Sequence, residues 1–499
     1  MGKNIKVKNV GLKEIRTVDP RLVSYNIEMT EVTGGTFWKE YTKGQMDGTE
    51  KFPFIGYGNH KYMMQVYPPI DLTNRRVRTL AKELGSAWIR VSGTWATKTY
   101  YDFEGTTNGI APEGYQSVLT KEQWFGLLDF VKAVDGKLLI SVANCEGIHS
   151  AHEPWNPCQA EKIFRISQEY GVPVAAAEFM NEPNLLSGSG APNGYTFKDF
   201  IRDQDIFNAW LHKNYPDVLA VGPSSVGGGQ IGKMKLEEGL LKCISKKFGT
   251  EICLKGAKEK MDVFSYHYYN GVSERIASGL SFVHWPVEKA HSEAYLEVAG
   301  YCARAAATYR DKYMPSVQLW VTESGDAGGG GCTWASTYLD VLRTLNELGV
   351  FSTISDGIVF HNTLASSDYG WLKHGTFEPR PTYFAVLLWN KLMGTTVYDS
   401  QIPISEGAHV FCHSRKDGEE GYTYLIINNS LTDVTTVELP KEAMVYALAG
   451  KDGIRSKIMT LNGQELVLGE YDELPNLQGK TVAAGTLEVV PGSCTFFVL

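Results

Sequence analysis

The sequence is poorest in the features that mark membrane and nucleic-acid proteins. No apolar run approaches the roughly 18 residues that a bilayer-spanning helix needs, which excludes a helical membrane span from the reading. The opening Met1-Gly-Lys-Asn-Ile-Lys-Val-Lys8 lacks the apolar core of a secretory signal. A cytoplasmic protein is therefore expected, or a secreted or periplasmic one whose signal has been removed. Positive charge is also short, with 48 Lys and Arg against 56 Asp and Glu and a net charge of −8. Such mild acidity argues against nucleic acids and other polyanions as partners. The small basic pieces, Lys246-Lys247 and the stretch Lys255–Lys260 with Glu259 inside it, read as solvated faces.

Cysteine is sparse and scattered. The eight residues (Cys145, Cys158, Cys243, Cys253, Cys302, Cys332, Cys412 and Cys494) include no Cys-x-x-Cys pair. Their spacing fits reduced, mostly buried thiols better than a disulfide framework or a metal site. No ligand cluster or phosphate-binding motif appears, so neither a cofactor nor a metal is expected. Cys332 follows a glycine loop, but nothing in the sequence pairs it with a base.

What is present is an ordinary globular balance, 43% hydrophobic and 21% charged, in 499 residues. That length exceeds one typical core and implies a large domain with a smaller one. Strand-like and helix-like segments alternate eight times. The strands are expected at 23–28, 87–92, 137–143, 174–181, 219–223, 263–269, 318–323 and 357–361. The helices are expected at 71–84, 121–134, 159–170, 196–214, 232–247, 292–313, 333–348 and 381–392. Thr196 and Thr333 read as N-caps, and Gly171 and Gly349 as helix stops. Eight such units imply a (β/α)8 barrel over residues 19–394, with active residues at the C-terminal strand ends. From residue 395 to 499 helical periodicity gives way to short β-rich runs separated by Lys416-Asp-Gly and Asn462-Gly turns, which read as a β-sandwich. Residues 1–18 carry an alternating strand that could join it. The loops 31–66 and 104–119 are candidate pocket rims.

Chemistry concentrates in two strand ends. The stretch Ala175–Asn184 runs from small apolar residues into Asn181 and Glu182, where Pro183 stops the pairing. Leu319–Gly325 repeats the pattern and delivers Glu323. Two carboxylates facing each other across a pocket are what glycosidic cleavage requires. Glu182 is read as acid/base and Glu323 as nucleophile, with the negative Glu323 expected to keep Glu182 protonated. Asn181 suits a donor to the hydroxyl beside the anomeric carbon. Arg90 either holds Glu323 ionised or pairs with Glu178 inside the barrel. At the sixth strand end, alternation turns either His267 and Tyr269 or Tyr266 and Tyr268 into the mouth. Gly325-Asp-Ala-Gly-Gly-Gly-Gly331 follows the nucleophile strand, and backbone N–H groups there would suit a sugar carboxylate.

With these residues in hand, the chain resembles, end to end, the heparanase and β-glucuronidase family, glycoside hydrolase family 79 of the retaining (β/α)8 clan. The likeness is carried by Val77-Arg-Thr-Leu-Ala-Lys-Glu-Leu84, Ile89-Arg-Val-Ser-Gly-Thr94, Asn181-Glu-Pro-Asn184, His267-Tyr-Tyr269, Glu323 with its glycine loop, Tyr369 ahead of Phe377-Glu-Pro-Arg-Pro381, and Leu461-Asn-Gly463. The resemblance implies Glu182 as acid/base, Glu323 as nucleophile and hydroxyl contacts from Glu28, Thr94 and Asn181. It also implies a uronate carboxylate held by Gly329, Gly330 and Tyr369, with Tyr268 or Tyr269 near the nucleophile. Two positions depart: Glu28 resembles an Asp in heparanases, and Gly328 stands where they have a tyrosine. The animal enzyme's long excised linker is a short loop here (104–119), and its basic clusters are missing.

A retaining exo-β-glucuronidase acting on a glucuronide or a uronic-acid-containing oligosaccharide is therefore the expected function. A second reading keeps the chemistry and changes the substrate, to an endo-β-glucuronidase or a neutral-sugar glycosidase. A third, a non-catalytic sugar-binding protein, gains nothing from two intact glutamates.

Overall fold

The computed structural model describes residues 2–52, 61–186, 188–226, 249–280 and 283–499. The helix expected at 232–247, with Cys243 and Lys246-Lys247, lies outside them.

Eight parallel strands close into a barrel in sequence order: Val23–Glu28, Trp88–Ser92, Lys137–Ser141, Val174–Glu178, Leu219–Val226, Val263–Val272, Gln318–Gly328 and Val359–His361. The eighth pairs with the first through Val359↔Val23 and Phe360↔Ser24, which leaves no open edge. Alternation stacks the interior in layers. Trp88, Leu139, Ala176, Val221, Val263, Trp320, Ile358 and Phe360 plug one end with apolar side chains. Two residues further along, the same faces carry Arg90, Ser141, Glu178 and Ser265, all buried. Polar groups above an apolar floor leave the chemistry only the C-terminal mouth.

The surrounding helices start where capping chemistry permits. Thr120 caps Lys121–Ala133 and Thr196 caps Phe197–Asn214, each in a reciprocal box with the residue three positions on. Gly171, at φ 85°, ends Cys158–Tyr170. Two local signals are overruled. Thr333 is not an N-cap: the helix begins at Leu339, and Thr333 instead bonds Glu274 through its hydroxyl at 2.9 Å. Gly349 does not stop that helix, which runs to Ile354. Its glycine serves packing, because a Cβ there would collide with the Phe411 ring of the β-domain.

Beyond the barrel, one sheet runs from Glu14–Thr17 through Met393–Tyr398, His409–Arg415, Tyr422–Asn428, Ser493–Val498, Ala443–Gly450 and Met459–Leu461 to Gln464–Glu465, with Lys480–Val482 also paired to Ala443–Gly450. A smaller sheet holds Asn4–Lys6, Thr435–Leu439 and Gly485–Val489. Ile5, Val7, Val410, Cys412, Ile426, Val437, Val489 and Phe497 share the core between them. The strand Met393–Tyr398 begins directly at the end of the last barrel helix, so helical patterning gives no warning of it. None of the seven described cysteines forms a disulfide with another described residue, and only Cys158 among them is exposed.

Candidate active site

Glu182 sits just past the fourth strand at φ 46°, ψ 54°, a left-handed conformation that costs a non-glycine residue energy. Its backbone is held there from several sides. The N–H donates to the Ser224 carbonyl at 3.1 Å, while its own carbonyl accepts from Leu185 N at 2.9 Å and Ser189 Oγ at 2.8 Å. Pro183 opens a short 3-10 turn that carries the chain away. The side chain is thereby turned into the mouth, where Oε1 lies 3.0 Å from His267 Nδ1.

Glu323 faces it from the seventh strand. Tyr269 Oη donates to Oε1 at 2.5 Å, Arg90 Nη1 to Oε2 at 3.1 Å and Asn362 Nδ2 to Oε1 at 3.4 Å. Oxygens of Glu182 and Glu323 and a nitrogen of His267 lie within 4.8 Å of one another.

Arg90 organises the floor. Fully buried, it donates from Nη2 to Glu178 Oε1 at 2.6 Å and to Asn181 Oδ1 at 2.7 Å, while Nη1 reaches Glu323. One planar fork thus touches both carboxylates that the two sequence readings of Arg90 named, Glu323 and Glu178. Glu178 also accepts from Ser92, Ser141 and Ser224 hydroxyls, so the buried ion pair is amply satisfied. Asn181 gives its oxygen to Arg90, which leaves its amide nitrogen as the donating end. Arg90 Nη2 is also 3.3 Å from His267 Nε2. A guanidinium only donates, so Nε2 accepts and the imidazole proton resides on Nδ1, facing Glu182.

The electrostatics separate the acids. Burial raises Glu182 to about 7, with Arg90 lowering it and Glu178 raising it. The expected cause is corrected here: desolvation is the main one, and the carboxylate that contributes is Glu178 rather than Glu323. Burial also raises Glu178, but Arg90, His267 and Ser141 more than offset it and hold Glu178 below the usual range. His267 falls to about 4, chiefly by burial, so it is neutral. Glu28 rises well above its ordinary value, first through burial and then through the nearby Glu323 charge.

The remaining sequence candidates divide. Glu28 ends the first strand with its carboxyl pressed against Gly93, where any Cβ would collide with it, and Thr94 follows at the same rim, half-buried. Tyr369 lies buried beside Tyr269, and its hydroxyl accepts from Asn362 Nδ2 at 3.1 Å. Gly329, Gly330 and Gly331 take φ of 88°, 86° and 84°. Their carbonyls are all engaged: Ser273 and Arg275 bond Gly329, Ser367 bonds Gly330, and Arg275 and Tyr41 bond Gly331. Among the described residues neither the Gly329 nor the Gly330 N–H has a partner, an arrangement suited to an anion. Tyr268 does not belong to the site. Its ring packs on Phe351 at 5.3 Å and its hydroxyl bonds Asn270, because the parity that aims His267 and Tyr269 inward aims Tyr266 and Tyr268 at the helices.

Three contributors escape the sequence reading. Asn362 follows the eighth strand and touches Glu323, Tyr269 and Tyr369 together; its strand-end position was the available signal. Glu31 accepts the Glu28 N–H at 2.8 Å and is itself raised to about 7 by burial. Arg275 is buried against the Tyr41 ring, 3.7 Å from its centre, and bonds Asp368 besides the glycine carbonyls.

One wall of the mouth is a hairpin, Gly35–Trp38 paired with Met64–Tyr67. Phe37 meets Trp95 at 5.2 Å, and Trp38 stands where a Cβ on Gly330 would fall 2.7 Å away. The other candidate rim loop is bracketed by Thr99–Asp102 and Ser117–Thr120, which pair in parallel.

No family model matches the chain. Heparanase-like protein 1 of Arabidopsis thaliana is 24% identical over 500 residues, spanning 86% of this chain and 85% of that protein. Baicalin-beta-D-glucuronidase of Scutellaria baicalensis is 28% identical over 480 residues, 88% and 85% of the two chains. Among solved structures, a 4-O-alpha-L-rhamnosyl-beta-D-glucuronidase from Fusarium oxysporum superimposes with a TM-score of 0.64 over 99% of this chain and 100% of that one, at 12% identity. That last likeness speaks for the barrel and its β-domain.

Proposed function

Because the chain belongs to the heparanase and β-glucuronidase family of glycoside hydrolases, we propose that it is a retaining exo-β-glucuronidase, with Glu182 as acid/base and Glu323 as nucleophile. The observation that carries this reading is the pair of carboxylates facing each other at the barrel mouth, with a glycine turn whose Gly329 and Gly330 N–H groups have no partner among the described residues. Retaining enzymes place their carboxyls ~5–5.5 Å apart and inverting ones ~6.5–9.5 Å; here an oxygen of one lies within 4.8 Å of an oxygen of the other, a spacing compatible with the retaining reading.

In the first half-reaction Glu323 attacks the anomeric carbon while Glu182 gives its proton to the departing oxygen. In the second, Glu182 takes a proton from water, which displaces Glu323 and restores both groups. The hydrogen bond from His267 occupies Glu182 Oε1 and leaves Oε2 for the proton. Asn181, its oxygen held by Arg90, turns its amide toward the hydroxyl next to the reacting carbon. The sugar carboxylate lies against the Gly329 and Gly330 N–H groups and Tyr369, with Glu28 and Thr94 serving the remaining hydroxyls. Two of the similar proteins are named for glucuronides, which supports the acidic sugar. The wall of Phe37, Trp38 and Trp95 behind the turn favours a pocket for one terminal residue over a cleft open at both ends.

Hydrolysis of an aryl β-glucuronide against the matching aryl β-glucoside tests the proposal, with Glu323→Gln as control. Strong preference for the glucuronide, lost in the variant, and a first-formed product with the β anomeric signal by NMR are expected. Equal or reversed preference retires the uronate assignment. Silence on both, with internal cleavage of a uronate-containing oligosaccharide, makes the enzyme endo-acting.

A further inference from the structure

Glu274, His284 and Cys332 take no part in this chemistry and lie beside the glycine turn. A carboxylate oxygen, an imidazole nitrogen and the thiol sulfur of these residues all fall within 4.8 Å of one another. Their positions are too scattered in sequence for any spacing to announce them. Each is oriented from outside the cluster. His284 Nδ1 lies 2.8 Å from the Val272 carbonyl. That oxygen can only accept, so Nδ1 carries the proton and Nε2 keeps its lone pair, as in metal-binding imidazoles fixed by an outer hydrogen bond. Glu274 accepts from Thr333 Oγ1 at 2.9 Å, and Tyr41 Oη, which donates to the Gly331 carbonyl at 2.8 Å, lies 3.1 Å from its other oxygen.

A separate observation comes from Asp326, which is 1% exposed. Its Oδ2 accepts the Cys332 N–H at 2.8 Å, while Oδ1 is buried with no partner among the described residues. A buried oxygen without a partner beside the thiol-bearing residue is costly, and it marks this as a place where a further polar group or ion would be accommodated.

We propose that Glu274, His284 and Cys332 form a structural site for a borderline divalent cation, of which Zn²⁺ is the best match to mixed carboxylate, imidazole and thiolate donors. With three protein donors at about 2.0–2.3 Å, a water molecule completes the tetrahedron, and small side-chain rotations bring the donors to bonding distance. The thiol proton leaves to solvent as the metal–sulfur bond forms. The ion touches no reacting atom. It joins the helix Glu274–Leu280 to the chain just past Gly331, and Arg275, next to Glu274, already grips the Gly329 and Gly331 carbonyls. The site therefore stiffens the glycine turn from behind.

Metal-stripped full-length protein titrated with Co²⁺ tests the site. One equivalent is expected to produce a near-ultraviolet thiolate-to-cobalt band with visible bands of four-coordinate cobalt, and Zn²⁺ should displace both. Cys332→Ser should abolish the near-ultraviolet band, and His284→Gln should weaken binding by at least about tenfold. Cys158→Ser, which removes the exposed thiol, should change neither. Circular dichroism of each stripped variant identifies those that are folded, and His284→Gln decides the matter if Cys332→Ser is not. Absence of the band in folded native protein, or its survival in folded Cys332→Ser, overturns the assignment. No readout uses turnover, so failure here leaves the glucuronidase reading untouched.

Discussion

Tyr269 makes the shortest contact to the proposed nucleophile, 2.5 Å to Glu323 Oε1, and receives a hydrogen bond from Asn362 at 3.0 Å in turn. A hydrogen bond to a charged group contributes ~1.5–3 kcal/mol. Tyr269→Phe should therefore lower kcat roughly tenfold to a hundredfold, with KM little changed, as steady-state kinetics on an aryl glucuronide will show. Glu182 supplies a second residue-scale prediction. It must be protonated to act as the acid, and burial places it at about 7. The rate should fall tenfold per unit on the alkaline side of about pH 7, and a pH–rate profile of kcat/KM checks the limb. Both glutamates were legible in the sequence because each follows a short apolar run, although the structure puts Glu182 four residues past the end of its strand and Glu323 within a strand that continues to Gly328 instead of ending there. Arg275 and Asn362 were not, since their partners, Asp368 and Tyr41 for one and Tyr269 and Tyr369 for the other, meet them only through the closed barrel.

At the scale of elements, the barrel strands were readable because parallel strands buried on both faces form near-continuous apolar runs. The errors fell where packing overrides a local signal. Gly349 looks like a stop, yet it is mid-helix and admits Phe411. Ordinary helix propensity favours Gly349→Ala by ~1 kcal/mol. The collision with Phe411 should reverse that sign and destabilise the protein by ~1–3 kcal/mol. Chemical denaturation measures the balance, and a stabilised variant would show that the contact is slack. The parity of His267 and Tyr269 was open for a related reason: alternation defines two faces, and only closure decides which is inside.

The molecule as a whole is joined across the same contact region. His413, 1% exposed, bonds the Gly394 carbonyl at 2.8 Å, lies 3.2 Å from Ser352 Oγ and meets the Trp389 ring edge-on. It thus ties the β-domain to two barrel helices. Burial lowers it from 6.5 to about 4. The folded protein then binds fewer protons than the unfolded chain between those values. Its contribution is complete above pH 6.5 and lost as pH falls toward 4, about 3 kcal/mol in all. Buried Glu31, Glu182 and Glu347, each raised to about 7, act in the opposite direction. The effect is therefore read as a difference: native minus His413→Gln stability should shrink by about that amount from pH 6.5 to 4. A constant difference would show that His413 takes up its proton over the same pH range folded and unfolded.

Asn4–Lys6 pairs in parallel with Thr436–Glu438, and Glu14–Thr17 with Met393–Tyr398, so the small domain is stitched from both sides of the barrel in sequence. During synthesis the first strands emerge long before their neighbours exist. At ~5–20 residues per second the wait lasts tens of seconds. Throughout that interval the nascent chain must close its barrel while carrying two unpaired strands. Each is a template for the wrong neighbour until the last hundred or so residues arrive, and this is the stage at which a chaperone has most to protect.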